Sequence, residues 1–126
     1  MSWEVLSVKK EQEIEFKFIS SNSNFRQGVR IAIDYGKGEF EINNMKLKKF
    51  YLWNDTAPEI VKIKCLSQEG LVSIYNVWET ERGQMKGQMD FSGMLVERNG
   101  NKITYSCNNG LLDTNFDELV FEIELL

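Results

Sequence analysis

Glu11 to Phe18 reads EQEIEFKF, with Ile14, Phe16 and Phe18 alternating against Glu13, Glu15 and Lys17. Successive side chains of a strand point to opposite faces, whereas a helix repeats every 3.6 residues, so this period of two predicts a half-buried strand. The same pattern recurs outward along the chain. Glu59 to Leu66 (EIVKIKCL) puts Val61, Ile63 and Cys65 on one face and Lys62 and Lys64 on the other. Ile103, Tyr105 and Cys107 form a further inward-facing set, and Leu119, Phe121, Ile123 and Leu125 close the chain in the same way.

Turn chemistry divides these segments. Gly28 to Tyr35 and Glu39 to Ile42 are predicted to form a hairpin through Gly36-Lys37-Gly38, because glycines supply the positive φ that short turns require. Asn43-Asn44 breaks the pattern before Lys46 to Trp53 (KLKKFYLW) resumes it as one extended segment. Asn54-Asp55-Thr56-Ala57-Pro58 then holds the sole proline, which lacks the N–H that a central ladder needs. Glu59 to Leu66 and Leu71 to Trp78 are expected to pair across Gln68-Glu69-Gly70, Met89 to Val96 forms a strand around Gly93, and Asn99-Gly100 carries the strongest hairpin signal.

No stretch of eleven or more residues shows a capped helical period, so almost no helix is expected. The reading is an all-β chain of about nine short strands, an antiparallel two-sheet β-sandwich of jelly-roll type. At 126 residues it makes one domain, residues 1–126, and 42% hydrophobic residues suffice for one core.

Charge and composition exclude several chemistries. The net charge is -4, and no run of cations exceeds Lys9-Lys10 or Lys48-Lys49, so neither nucleic acid nor an anionic membrane is an expected partner. The N-terminal residues MSWEVLSVKK carry no export pattern and no apolar run spans a bilayer, from which a cytoplasmic location is expected. Cys65 and Cys107 read as two buried thiols, with a cross-strand disulfide as the alternative. The chain contains no histidine, which removes imidazole bases, Ser-His and Cys-His nucleophiles and most zinc or non-haem iron sites. Nor does it carry a glycine-rich nucleotide loop or a GxSxG elbow, and no enzymatic role is expected.

Two groups of residues remain as candidate sites. Trp53, Asp55, Asn76 and Trp78 lie close to loop ends, where an indole face stacks on a sugar ring and carboxylate or amide groups bond its hydroxyls; equally, such indoles close the end of a core. Asp113, Asn115, Asp117 and Glu118 bring hard oxygen donors into one short turn of the kind calcium prefers. Asp and Asn also cap their own turns, and acids beside an apolar strand guard against aggregation, so the turn has a purely structural reading too. An EF-hand is excluded because Glu118 occupies the sixth position, where that loop needs glycine.

The segment Asp113 to Phe121 is similar to the Asx-rich turn before the last strand in calcium-binding β-sandwich domains of bacteria, and more distantly in calcium-dependent galactose-binding bacterial lectins. That resemblance implies calcium at the turn. More broadly, LW-x-DTAP at Leu52 to Pro58, NVW at Asn76 to Trp78, and GMLVE-x-NGN-x-I-x-Y-x-CN-x-G followed by the acidic turn, at Gly93 to Phe121, resemble a small uncharacterised bacterial all-β family. It implies a family without an assigned activity. The expectation that follows is a non-catalytic binding module for a small, carbohydrate-like ligand, assisted by calcium. The alternative is a protein-interaction or immunity-like inhibitor module whose acidic surface engages a basic protein, with edge strands also able to pair copies of the chain.

Overall fold

Every alternating segment that can be followed becomes a strand. The computed structural model describes residues 4–8, 11–21, 26–33, 39–66, 70–79, 85–86, 93–108 and 119–126. One sheet takes β1 (Glu4–Val8), β3 (Arg26–Ile33), β6 (Lys49–Trp53), β8 (Gly70–Glu79) and β9 (Met85–Lys86). The second takes β2 (Gln12–Ser21), β4 (Phe40–Ile42), β5 (Met45–Leu47), β7 (Val61–Cys65), β10 (Gly93–Asn99), β11 (Lys102–Asn108) and β12 (Leu119–Leu125). The five-stranded sheet is ordered β1-β8-β3-β6, with β9 also on β8, and the seven-stranded sheet β10-β11-β12-β2-β7-β4-β5. All pairs given by the register are antiparallel. There is no helix among the described residues, and none there long and apolar enough to cross a membrane.

The architecture is the expected all-β sandwich, with more strands than the nine expected because the Lys46–Trp53 segment divides into β5 and β6 and the two-residue β9 is added. One core joins both sheets: Val29, Ile31, Phe50, Val72 and Ile74 from the smaller sheet pack with Ile14, Phe16, Ile63, Tyr105, Phe121 and Ile123 from the larger. Within it the Tyr105 and Phe121 rings stack at 4.7 Å and those of Phe121 and Phe16 at 5.2 Å, while Phe40 meets Phe50 edge-on between the layers at 5.2 Å. The inward sets read from alternation, Val61, Ile63 and Cys65, then Ile103, Tyr105 and Cys107, then Leu119, Phe121 and Ile123, are all buried.

Partner choice differs from the sequence reading in three places. β3 and β4 form no hairpin, for they lie in different sheets; residues 36–38, the expected turn, lie outside the described residues. β7 and β8 also part company, each joining a different layer. Reach permits this: layers pack about 10 Å apart, and the four positions separating Cys65 from Gly70 are enough to cover that distance at up to roughly 3.3 Å each. Lys46 to Trp53 is likewise two strands, bent at Lys48 so that β5 belongs to the large sheet and β6 to the small one, a corner where one strand switches layers. The bend is tied by the Ile33 amide donating to the Lys48 carbonyl at 3.0 Å.

Two turns explain neighbouring registers. Ile42 pairs with Met45 across Asn43 and Asn44, whose φ values of 50° and 65° are those of a two-residue type I′ turn, so the dipeptide that breaks the pattern is itself a hairpin. At the predicted Asn99-Gly100 hairpin, Asn99 pairs with Lys102 and only Gly100 has positive φ (65°), the type II′ pattern centred one residue later. Cys65 and Cys107 are both free and buried. They cannot bridge: Cys65 is level with Gln12 at the start of β2, while Cys107 pairs with Leu119, which is level with Ser21 at its end, roughly 30 Å away at about 3.3 Å per residue.

Candidate functional site

The two exterior faces differ in chemistry, and the register shows how. On the seven-stranded sheet, Glu13 pairs with Lys64, Lys64 with Glu41 and Glu41 with Lys46 along one row, and Glu122 pairs with Lys17 in another. A further row runs Lys102, Glu124, Glu15, Lys62, with Lys102 Nζ 3.8 Å from Glu124. Apart from the Glu124–Glu15 pair, which is flanked by Lys102 and Lys62, opposite charges face each other across these strands, compensate locally and keep water on the surface. Lys and Glu of this kind are depleted at interfaces.

The outer face of the five-stranded sheet is built from other residues. Since Val29, Ile31, Phe50 and Ile74 face the core, the intervening positions of β3, β6 and β8 face out. They form four rows: Glu79 level with Arg26; Val77, Gly28 and Trp53; Tyr75, Arg30 and Tyr51; and Ser73, Ala32 and Lys49. Asp55, two residues past Trp53, extends the first row. Small residues make the floor, for Gly28, Ala32, Ser73 and Val77 are buried although they face outward. The Trp53 indole lies on Gly28, and the Arg30 guanidinium reaches the Ser73 hydroxyl.

Trp53 is seated by Gly28. A Cβ on residue 28 would stand 2.7 Å from Cε3 of the indole and 2.8 Å from the Leu52 carbonyl oxygen, so only glycine lets the ring settle on the backbone. The guanidinium of Arg26 lies 4.3 Å from the Trp53 ring centroid, a cation–π contact. Arg26 Nε donates to both carboxylate oxygens of Asp55 at 3.0 Å, and Nη1 donates to Glu79 at 3.4 Å. The hydrogen bond to Asp55 pushes the proton affinity of Arg26 above its ordinary value. One row on, the Arg30 guanidinium lies 5.1 Å from the Tyr75 ring and Nη1 donates to the Ser73 hydroxyl at 3.4 Å.

The turn after β6 presents Asp55. The amides of Thr56 and Ala57 donate to the Trp53 carbonyl at 3.1 and 2.8 Å, the Asn54 amide donates to Gln27 at 2.8 Å, and Asn54 Nδ2 donates to the Ser21 hydroxyl at 3.1 Å. The proline-containing loop is therefore anchored to both sheets, and Asp55 is held beside Arg26.

Of the four residues proposed from sequence for a small ligand, Trp53 and Asp55 meet on this face. Asn76 and Trp78 do not join them, because they occupy the inward parity of β8, level with Val29 and Gln27, and are 0% and 4% exposed. Asp113, Asn115, Asp117 and Glu118 lie outside the described residues. Among the described residues no three Asp, Glu or Cys side chains converge to hold a metal ion. Arg26, Arg30, Tyr51 and Tyr75 are not among the site residues proposed from sequence, although Arg26 and Arg30 share the parity opposite to the core residue Val29, and Tyr51 and Trp53 the parity opposite to Leu52. No family model matches the chain, and no curated protein matches it.

Proposed function

We propose that the chain is a non-catalytic binding module, that its recognition surface is the outer face of the five-stranded sheet, and that its partner is a protein. The observation that carries this is the Arg26 guanidinium stacked on Trp53 and tied by Asp55 and Glu79. Trp, Tyr and Arg are the residues that dominate binding energy at protein interfaces, and holding them flat before contact lowers the ordering cost of association. A sugar would have to displace Arg26 to stack on the same ring, breaking two ion pairs. With Asn76 and Trp78 buried, the carbohydrate reading also keeps only Trp53 and Asp55 of its residues. The acidic-surface form of the interaction reading changes as well, since the aromatic platform carries Arg26, Arg30 and Lys49 beside its two carboxylates. We place the protein in the cytoplasm, a reading supported by two cysteines too far apart to pair.

A photocrosslinking residue at Tyr51, on the platform, tests this against the same residue at Thr104, on the charged outer face of the other sheet. In cells producing the protein, position 51 is expected to yield a protein adduct and position 104 none. Absence of any adduct from position 51, or a change in Trp53 emission on titration with oligosaccharides, would reject the protein-partner reading.

A further inference from the structure

We infer that the edge strand β10 joins two copies of this chain, paired antiparallel about a two-fold axis at Leu95, so that two seven-stranded sheets become one. Among the described residues β10 pairs with β11 alone and ends its sheet. It runs seven residues in unbroken register, from Gly93 opposite Asn108 to Asn99 opposite Lys102, with no proline, lysine or bulge. Edge strands are normally guarded by shortness, charge or a bulge, because their outward amides and carbonyls invite another strand. β5, at the far edge of the same sheet, is three residues long and centred on Lys46, and β6, at an edge of the smaller sheet, starts with Lys49. The charges of β10, Glu97 and Arg98, stand near its hairpin end, which leaves Met94, Leu95 and Val96 as an uncharged run.

The hairpin decides which backbone groups face the open edge. A two-residue turn is flanked by a hydrogen-bonded pair, here Asn99 and Lys102, and such pairs alternate along an antiparallel ladder. Asn99, Glu97 and Leu95 therefore bond to β11, and the amides and carbonyls of Met94 and Val96 point away from it. Opposed side chains must share a face, so a two-fold pairing centres on one residue. Centred on Glu97 it would oppose two glutamates; on Val96 it would set Leu95 against Glu97; on Met94 it would set Leu95 against Gly93, which has no side chain. Centred on Leu95, Met94 of each copy exchanges its backbone bonds with the partner's Val96, and apolar residues oppose each other on both faces. Leu95 itself is 53% exposed, on the outer face in the row of Ser106 and Val120. It becomes a non-hydrogen-bonded pair with its own copy, the closer kind, with Cα atoms about 4.5 Å apart. Such an isologous contact closes on itself, so association stops at the dimer. The added strand lies two strand spacings, about 10 Å, from β11, so the outer face around Thr104 stays uncovered. The aromatic platform on the other sheet takes no part, and the two surfaces stand or fall separately.

Sedimentation equilibrium and cysteine crosslinking of the purified full chain test this. The expected species has twice the 14.7 kDa chain mass, and because edge pairing buries little area its Kd is on the order of 10–100 μM. Salt should leave it unchanged, since no contact in it is ionic. Leu95→Lys sets two ammonium groups against each other at the axis and is expected to raise that Kd at least about tenfold. Leu95→Cys places two thiols within disulfide reach and should give a covalent dimer on mild oxidation. Glu97→Cys should give none, because residue 97 of each copy lies roughly 13 Å from its counterpart along the strand. Cys65 and Cys107 are buried and stay out of the reaction. Leu95 and Glu97 are exposed, and unchanged circular dichroism establishes that each variant is folded. A chain that stays monomeric up to about 1 mM, a dimer indifferent to Leu95→Lys, or Glu97→Cys crosslinking as readily as Leu95→Cys overturns the inference.

Discussion

Gly28 and Trp53 face each other across β3 and β6 so closely that the indole occupies the volume where any other residue would place its Cβ, 2.7 Å from Cε3. Gly28→Ala is therefore expected to lift the ring and to destabilise the fold by about 1–3 kcal/mol, the range for overpacking. Denaturant melts followed by tryptophan fluorescence check this. In a Trp53→Ala background the cost should shrink without vanishing, because the Leu52 carbonyl, 2.8 Å from the same Cβ, cannot move aside as a side chain does.

The aromatic column at the centre of the large sheet predicts a larger effect. Phe121 stacks on both Tyr105 and Phe16 and is fully buried. Phe121→Ala should cost about 3–5 kcal/mol, since both the transfer energy of the ring and the cavity count against the fold. A loss below about 1 kcal/mol in a urea titration would show that the column does not hold the sheet as described.

At the β4–β5 turn the opposite sign is expected. Asn43 and Asn44 both have positive φ, a conformation that asparagine tolerates and glycine adopts without strain. Asn44→Gly produces the Asn-Gly pair preferred in type I′ turns and should raise stability by up to about 1 kcal/mol, whereas a β-branched residue there should lower it. Thermal melts of the two variants should move in opposite directions.

The buried thiols make stability fall at alkaline pH. Burial pushes Cys65 from its ordinary 9.0 up to about 12, and Cys107 upward in the same way. Above about pH 9 the unfolded chain gives up thiol protons that the fold retains, so the unfolded state binds fewer protons and is favoured as pH rises. The contribution is complete below pH 9 and is lost toward pH 12, with a slope of about 1.4 kcal/mol per pH unit for each thiol. Replacing both cysteines by alanine should flatten the stability curve over that window relative to wild type. In the native state neither thiol should react with a disulfide reagent until the chain unfolds.

Strand positions and their faces were legible in the sequence because they depend on local chemistry. A side-chain period of two marks Ile14 and Phe16, Val61 and Ile63, or Phe121 and Ile123 as inward wherever one face of a strand is dry, and the structure buries all six. Pairing was not legible, because it depends on which strands lie side by side across the core. The two hairpins expected from adjacency, β3 with β4 and β7 with β8, are both layer crossings, and Lys46 to Trp53 is bent at Lys48 into two layers, where the Lys48-Lys49 doublet shifts the core-facing parity from Leu47 to Phe50 and Leu52.

The candidate site divides along the same line. Trp53 and Asp55 could be picked out as an indole and a carboxylate at a loop end. That Asn76 and Trp78 point inward follows only from their register with Val29 and Gln27. Arg26 and Glu79 are separated by 53 residues, and only the antiparallel pairing of β3 with β8 makes them neighbours. The sequence by itself determined the all-β class, the single core and the exclusion of imidazole chemistry, each a matter of composition and local period. Tertiary structure alone decided which planar side chains share one face, because a sheet brings distant segments into one row and the chain's order says nothing about those rows.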